Sequence, residues 1–229
     1  MTSLQKWGRS VRTTIPVMAG YLVLGAGFGI LLRTRGYGLG WALAMSAFIY
    51  AGSMQYVAID LLTGGASLLT TAVTTLLVNA RHLFYGISML ERYRAAGKYA
   101  PYLIFSLTDE TYSLVAARED LTGAECFRIS LLDQLYWVLG TALGSLAGAY
   151  LDFNTTGIDF SLTALFLTVF TEQWLETKDH APALIGLGVS IVCRLLFGAD
   201  SFLLPTMGGM LCCLLVLDAR RTKKGGESA

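Results

Sequence analysis

Long uncharged stretches recur along this chain and constrain its fold more than any other feature. Five of them have about the length that a membrane-spanning helix needs, about 20 mostly apolar residues: residues 13–32, 36–59, 61–80, 134–151 and 201–217. Charged residues make up only 14% of the chain, against about a quarter of an ordinary globular domain. A soluble fold with so few charges would expose large apolar patches and aggregate. The pattern therefore predicts an all-α, polytopic membrane protein.

Three weaker stretches bring the predicted number of transmembrane segments to seven or eight. Each contains at least one charged residue, and they cover residues 99–117, 158–175 and 181–197. Both ends of the chain are basic, so the positive-inside rule predicts cytoplasmic N- and C-termini and an even number of crossings. Eight crossings would nevertheless place the basic stretch 92–98 outside. A third segment that breaks near residues 79–82 and turns back, with a segment 99–117 that does not cross, would remove this conflict. We therefore expect some segments to be broken or re-entrant.

The whole chain, residues 1–229, is predicted to form one integral membrane transport domain with an internal repeat. S-M-Q-Y at residues 53–56 and T-E-Q-W at 171–174 each end an apolar span. Glycines at a spacing of four precede both motifs, at positions 25 and 29 and then at 140, 144 and 148. Halves of about 14–98 and 130–217 would resemble the duplicated halves of many transporters. The alternative is that these glycines simply let membrane helices approach closely.

The sequence carries no recognisable enzyme, metal or nucleic-acid signature. Its net charge is only +1, and its two histidines cannot form H-E-x-x-H. No G-x-S-x-G, Walker loop or dinucleotide fingerprint occurs, and the four cysteines form no C-x-x-C. We therefore expect no catalytic residue, no cofactor, no metal and no nucleic-acid partner. Any transport would be driven by a gradient or by another subunit.

Arg81 and His82 are the first candidates for function, because they follow 20 uncharged residues. A charge placed in hydrocarbon costs about 3 kcal/mol on insertion scales. With Asn79 they form an N-x-R-H cluster, and a helix break there would free backbone groups to line a cavity. Arginine would clamp a carboxylate with two parallel hydrogen bonds, and histidine would exchange a proton near neutral pH. The alternative is a helix that ends at the membrane interface, and the residues alone leave both readings open.

Asp109 and Glu110 are the natural counter-charges for that cluster. Adjacent residues on a helix point about 100° apart, so only one of the two acids can face a given partner. Hydroxyl groups interleave with the acids, which favours a segment that lines an aqueous or substrate path: Ser106, Thr108, Thr111 and Tyr112. The alternative is a short amphipathic helix on the membrane surface.

Two further polar positions lie in or beside apolar stretches. In A-G-S-M-Q, Gly52 weakens the second predicted span, and Ser53 and Gln55 can then bind polar atoms. The alternative is that Ser53 and Gln55 only hydrogen-bond between helices. Asp133 precedes the fourth span and is interpreted as a helix-end residue that reaches the membrane interface.

Four motifs, taken in order, are similar to those of the AzlC family, the large subunits of bacterial branched-chain amino acid exporters. They are P-V-M-A-G-Y-L-V-L-G-A-G-F-G-I-L, F-I-Y-A-G-S-M-Q-Y, L-L-V-N-A-R-H-L-F-Y-G and S-L-T-D-E-T-Y. The resemblance runs through about the first 115 residues.

The resemblance implies a permease of the bacterial cytoplasmic (inner) membrane that exports valine, leucine, isoleucine and, in some members, methionine. It also implies dependence on the proton gradient and a small, hydrophobic AzlD-like partner subunit, both subunits lying in membrane lipid. Carried over by position, it suggests a set of substrate-binding residues: Ser53, Gln55, Asn79 and Arg81. It suggests a second set for proton coupling or gating: His82, Asp109 and Glu110. The alternative function is a non-transporting scaffold or regulatory subunit of another membrane complex.

Overall fold

The structure of the protein, a computed structural model, describes most of the chain. The described residues are 2–116, 118, 120–150, 160, 163–164, 167, 170–171, 174–175 and 178–226. Within these ranges every regular element is a helix and no strand occurs, so the predicted all-α fold is confirmed. The number of membrane crossings stays a prediction. The chain divides into two compact units, Met1–Leu162 and Thr163–Ala229, which are described separately.

Two long helices form the frame of the first unit. Helix α1 covers Ser3–Thr34 and helix α8 covers Gly123–Tyr150. At about 1.5 Å per residue, both exceed the roughly 30 Å thickness of a bilayer core. The Thr2 side chain caps the first turn of α1, and the Gln5 side chain bonds back to the Thr2 backbone. This reciprocal capping satisfies two backbone donors that a helix start leaves free.

Helices α1 and α8 approach so closely that glycine is required between them. A β-carbon at Gly29 would overlap the backbone of α8, and one at Gly144 would overlap the backbone of Ala26. The two sets of glycines therefore face each other across one interface, as expected for close helix approach. The internal repeat stays a prediction, and the central residues of its second motif, Glu172 and Gln173, lie outside the described residues.

Six shorter helices connect α1 to α8. Their bounds are α2 Leu39–Ala44, α3 Gly52–Thr63, α4 Leu68–Val78, α5 Arg81–Ala95, α6 Ala100–Phe105 and α7 Asp109–Ala116. A π-helical turn, Met45–Ile49, extends α2, and a 3₁₀ turn, Gly97–Tyr99, precedes α6. Short breaks thus separate the π-helical turn from α3, α4 from α5, and α6 from α7. They lie at residues 50–51, 79–80 and 106–108. These three interruptions are called the helix breaks below.

Residues 36–59 and 61–80, each predicted as one span in a fold with some broken segments, are both interrupted in the structure. In the first stretch, Tyr50 adopts a left-handed conformation, with φ of 43°, and Ala51 is extended. In the second, Gly65 has φ of 63°, and Ser67 caps a new helix by accepting a hydrogen bond from the Thr70 backbone. Helix α4 has 11 residues and is about 16 Å long, roughly half of a bilayer core.

In the part of the second unit from residue 178 to residue 226, the structure describes two further helices, α9 (Ala181–Ser201) and α10 (Leu203–Gly226). Gly198 interrupts α9 with φ of 73°, a conformation that glycine adopts at little cost. By length and composition, two of the described helices can cross a membrane: Leu4–Thr34 in the first unit and Ala181–Gly198 in the second. The predicted segment 158–175 lies largely outside the described residues.

Candidate functional site

Arg81 joins the three helix breaks. Its Nη1 atom lies 2.6 Å from Asp109 Oδ2, and its Nη2 atom donates a hydrogen bond of 2.8 Å to Ser53 Oγ. Each of these residues occupies the first turn of a helix that begins at a break: Ser53 in α3, Arg81 in α5 and Asp109 in α7. The Arg81 and Asp109 side chains are 34% and 28% exposed. The sequence predicted that Asp109 or Glu110 pairs with Arg81, and in the structure the partner is Asp109.

The starts of these helices set the electrostatics of the site. A helix N-terminus carries a partial positive charge and unpaired backbone N–H groups. Arginine at the first position of α5 is therefore unfavourable by itself, and the carboxylate of Asp109 offsets its charge. Neither Ala51 before α3 nor Ala80 before α5 caps its helix with a side chain. Such N-termini attract anions, and a carboxylate is the simplest anion that a guanidinium also binds.

Three buried polar atoms at this junction have no hydrogen-bond partner in the structure: Asn79 Oδ1, Arg81 Nε and Asp109 Oδ1. Buried polar groups are nearly always paired, so each orphan calls for an explanation. Here the atoms comprise one donor and two acceptors. An amino acid zwitterion offers the matching groups, a carboxylate for the donor and an ammonium for the acceptors.

An apolar cavity of about 560 Å³ borders the same three breaks. Tyr50 and Ala51 line it from the first break, Asn79 and His82 from the second, and Leu107 from the third. The rest of its wall is mainly aliphatic and aromatic, and includes Ile49, Leu83, Ile87, Leu90, Ile104 and Phe105. Its volume lies in the usual range for small-molecule pockets. The cavity therefore places an apolar chamber next to charged and amide groups.

His82 lines this cavity but does not contact the acids in the structure. Its Nδ1 atom lies 3.2 Å from the Asn79 carbonyl oxygen, and its ring packs edge-on against Tyr85. Tyr85 in turn stacks on Tyr112 of α7, with ring centroids 4.6 Å apart. The structure thus holds His82 at the cavity wall, between the second helix break and an aromatic pair.

Glu110 points to a different partner from Asp109, as the 100° offset predicted. The Tyr21 hydroxyl of α1 donates a hydrogen bond of 2.7 Å to Glu110 Oε2, and the same hydroxyl lies 2.7 Å from Thr108 Oγ1. Glu110 therefore belongs to the contact between α1 and α7 and lies outside the Arg81 ion pair.

Gln55 lies away from the ion pair, in a buried network with no solvent exposure. Its Nε2 donates to Ser46 Oγ at 3.1 Å, and its Oε1 accepts from Trp137 Nε1 at 2.9 Å. The Ser46 hydroxyl donates onward to Thr141. These bonds tie the π-helical turn and α3 to α8. The substrate-binding role predicted for Gln55 stays a prediction.

The interpretation of Asp133 as an interfacial helix end is wrong. Helix α8 begins ten residues earlier, at Gly123, and Asp133 is fully buried, with Thr111 donating 2.9 Å to its Oδ2. The prediction started the helix where the uncharged run starts, at residue 134. The helix in fact begins earlier and includes charged residues that precede the run. A usable signal was the spacing, which puts Asp133 on the buried face of α8 that also holds Trp137, Gly140 and Gly144.

Interrupted helices that meet at a partly buried ion pair define a class of protein. Half-helices whose N-termini converge on a polar site are typical of membrane transporters, and a charged pair inside apolar helices marks a functional position. The first unit therefore has the architecture of an integral membrane protein.

Comparison with known proteins shows the family: the chain belongs to the AzlC family, whose model, described as AzlC protein, matches residues 16–151. The chain is 46% identical to the Branched-chain amino acid transport protein AzlC of Bacillus subtilis (strain 168) over 209 residues, which cover 89% of this chain and 82% of that protein. It is 42% identical to an uncharacterized membrane protein of Helicobacter pylori (strain ATCC 700392 / 26695), over 89% of this chain and 91% of the other. It is 26% identical to the inner membrane protein YgaZ of Escherichia coli (strain K12), over 90% and 87%. No solved structure matches the chain.

Proposed function

We propose that the protein exports branched-chain amino acids, namely valine, leucine and isoleucine, across the bacterial cytoplasmic membrane, and that proton movement drives the export. The observation that carries this proposal is the position of Arg81, which ties three helix breaks together beside an apolar cavity. The name of the Bacillus subtilis relative supports the choice of substrate.

Arg81 binds the substrate carboxylate in this proposal. Its guanidinium already reaches two helices, and its Nε has no partner. The N-terminus of α3, which has no side-chain cap, supplies backbone N–H groups next to it. A carboxylate in this position would accept charge-assisted hydrogen bonds, which are about twice as strong as neutral ones. Ser53, which Arg81 already contacts, completes this half of the site.

Asn79 and Asp109 receive the substrate ammonium group, since each has a buried oxygen without a partner. The aliphatic side chain of the substrate then enters the apolar cavity. This division places polar groups at the helix breaks and the hydrocarbon in the chamber, which is the arrangement that small-molecule sites generally use. Gln55 does not contact the substrate in this proposal; its hydrogen bonds hold α3 against α8 and so position Ser53.

Coupling follows from competition for Asp109. Ionised Asp109 binds the substrate ammonium group, and a proton taken up by Asp109 removes that charge and releases the substrate, so that substrate and proton move in opposite directions. Glu110, the next residue in α7, is the neighbouring proton acceptor, and His82 lies at the cavity wall as a further exchange group. One residue, Asp109, thereby links substrate binding to protonation.

The membrane arrangement and the partner are part of the same proposal. Basic residues near the start of α1, Lys6, Arg9 and Arg12, and the basic end of the chain support cytoplasmic termini. A small hydrophobic AzlD-like subunit is expected to accompany the chain. Co-expression with an affinity tag on this chain alone tests that expectation, and failure to recover a small membrane protein in mild detergent would contradict it.

Export is tested with liposomes that contain the purified chain, with and without the small subunit, and that are loaded with labelled leucine. We expect efflux that accelerates under a pH gradient and that valine and isoleucine inhibit. The Arg81→Lys variant keeps the charge but loses the planar fork, so its leucine efflux should fall about 10–100-fold, the loss expected from a charged hydrogen bond worth about 1.5–3 kcal/mol.

Arg12→Lys is the matched control, because Arg12 is exposed at the start of α1, and its efflux should equal that of the wild-type protein. Absence of gradient-sensitive efflux from the wild-type protein, across a panel of amino acids, would contradict export. That outcome would favour a scaffold or regulatory subunit.

A further inference from the structure

A chain of hydroxyl groups connects Glu110 to Asp133 through the interior of the first unit. The Tyr21 hydroxyl donates to Glu110 Oε2 at 2.7 Å and lies 2.7 Å from Thr108 Oγ1. Thr108 Oγ1 donates to Thr111 Oγ1 at 3.1 Å, and Thr111 Oγ1 donates to Asp133 Oδ2 at 2.9 Å. Five oxygen-bearing side chains from α1, α7, α8 and the third helix break therefore form one continuous path between two acids.

Hydrogen counting on this path shows that it needs one proton more than its hydroxyl groups supply. The path has four oxygen–oxygen contacts, all between 2.7 and 3.1 Å. Tyr21, Thr108 and Thr111 each have a single hydroxyl hydrogen, so together they fill three contacts. With both acids ionised, the fourth contact would bring two oxygen lone pairs together. A single added proton on either acid fills all four.

The buried surroundings of Asp133 also favour a protonated acid on this path. Asp133 has no solvent exposure, its Oδ1 has no hydrogen-bond partner, and Ser130 Oγ one turn earlier is also buried and unpaired. Among the described residues, the ion pairs found do not include Asp133 or Glu110. An isolated ionised carboxylate is very unfavourable in such a place, and two ionised carboxylates on one buried path would be more so.

The titratable groups that face the two acids are themselves acids or phenols. Around Asp133 these are Glu110, Tyr50 of the first helix break and Tyr102 of α6. The hydroxyl of Tyr102 donates to Gln134, the neighbour of Asp133. Around Glu110 they are Tyr21, Tyr50, Tyr85 and Asp109. Among these neighbours there is no cation that could take the place of the proton.

We propose that Glu110 and Asp133 form a proton-binding site that holds one proton between them, and that the Tyr21–Thr108–Thr111 hydroxyls carry it from one acid to the other. In the transfer from Asp133, each hydroxyl passes its hydrogen to the next oxygen toward Glu110. Asp133 loses one proton, Glu110 gains one, and every hydroxyl ends with the single hydrogen it began with. The path ends next to Asp109, so its use in coupling rests on the proposed transport function.

Infrared spectroscopy of the purified full-length protein tests the proton site without reference to transport. A protonated carboxyl group has a C=O stretch that is distinct from the bands of a carboxylate and shifts in D₂O. At neutral pH we expect this signal in the wild-type protein, a change in it in Asp133→Asn and in Glu110→Gln, and its loss in the double variant. Asp60→Asn and Glu91→Gln, at exposed acids, are the matched controls and should leave it unchanged.

Thr111→Val tests the path, since it removes one hydroxyl while nearly keeping the side-chain shape. The carboxyl signal should persist in this variant but shift in frequency, because Asp133 loses its hydrogen-bond donor. Absence of the signal from the wild-type protein, or its persistence unchanged in the double variant, would overturn the proposal. The wild-type spectrum needs no variant to fold.

Transport measurements distinguish a failure of the proposed proton site from a failure of the proposed transport function, on which its coupling role rests. Asp133→Asn should still exchange internal for external leucine, which needs no net proton movement, and should lose acceleration by a pH gradient. Gradient-driven efflux at the wild-type rate in Asp133→Asn would overturn the coupling role of the site. Absence of any leucine flux in the wild-type protein would instead overturn the proposed function and leave the infrared result standing.

Discussion

Arg81 shows why arginine suits the junction of three helix breaks better than lysine. Its planar fork presents separate donors to Ser53 and Asp109 and leaves Nε free. A lysine has one compact ammonium group at the end of a flexible chain and cannot hold that geometry. Arg81 therefore orients two helices and still offers a donor to a ligand.

The acid beside Arg81 should set the pH response of transport. Asp109→Asn keeps an oxygen that accepts a hydrogen bond from the substrate ammonium group but removes the acid that takes up a proton, so leucine should still bind and the pH gradient should no longer accelerate efflux. Efflux from liposomes, measured at matched and unmatched pH, checks this expectation. Asp60→Asn, at an exposed acid of α3, is the control, and a normal gradient response in Asp109→Asn would contradict the competition.

The network around Gln55 should contribute to stability rather than to affinity. Gln55→Leu leaves the Trp137 indole N–H without its acceptor and the Ser46 hydroxyl without its donor. Burying an unpaired polar group costs about 1–3 kcal/mol, so the melting temperature in detergent should fall while leucine affinity of the folded protein holds.

Trp137→Phe breaks one of the same hydrogen bonds from the other side. The losses in Gln55→Leu and Trp137→Phe should therefore be less than additive in the double variant. A normal melting temperature for Gln55→Leu together with weaker leucine binding would instead support direct contact with substrate.

At the scale of elements, the contact between α1 and α8 depends on glycine. Gly144→Ala would place a methyl group against the backbone of Ala26, and overpacking of this kind costs about 1–3 kcal/mol. We expect a lower melting temperature in detergent and a smaller folded yield. Gly20→Ala is the matched control, because nothing lies near its β-carbon position, and it should be neutral or slightly stabilising. Equal stability of the two variants would contradict the interface.

Two of the three helix breaks were visible in the sequence because small or polar residues interrupt their apolar runs. A-G-S-M-Q and N-A-R-H marked them, and the acid pair after S-L-T marked the polar segment at the third. The turn at residues 64–67 was missed because glycine and serine carry no charge, so a charge-free run concealed a helix end. The burial of Asp133 was missed for the opposite reason. Its charge was taken as the end of a helix, whereas α8 continues through this position. Pairing of Arg81 with Asp109 rather than Glu110 required the fold, because the helix offset allowed either.

At the scale of the whole molecule, the cavity beside the breaks should decide which side chains fit. Gly86 lines it, and nothing lies within 4 Å of its β-carbon position. Gly86→Leu would fill part of the chamber and should weaken leucine binding more than valine binding. Gly86→Ala, which improves helix propensity by about 1 kcal/mol, should bind both normally. Unchanged leucine affinity in Gly86→Leu, measured by calorimetry, would place the substrate side chain elsewhere.

The central claim is that Arg81 binds the carboxylate of the substrate, and a cycle of two proteins and two ligands tests it most directly. The affinities of leucine and of leucinamide, which has no carboxylate, are measured by calorimetry for the wild-type protein and for Arg81→Lys. We predict that Arg81→Lys weakens leucine binding about 10–100-fold and leaves the weaker binding of leucinamide unchanged. Equal losses for both ligands, or none for leucine, would contradict the claim.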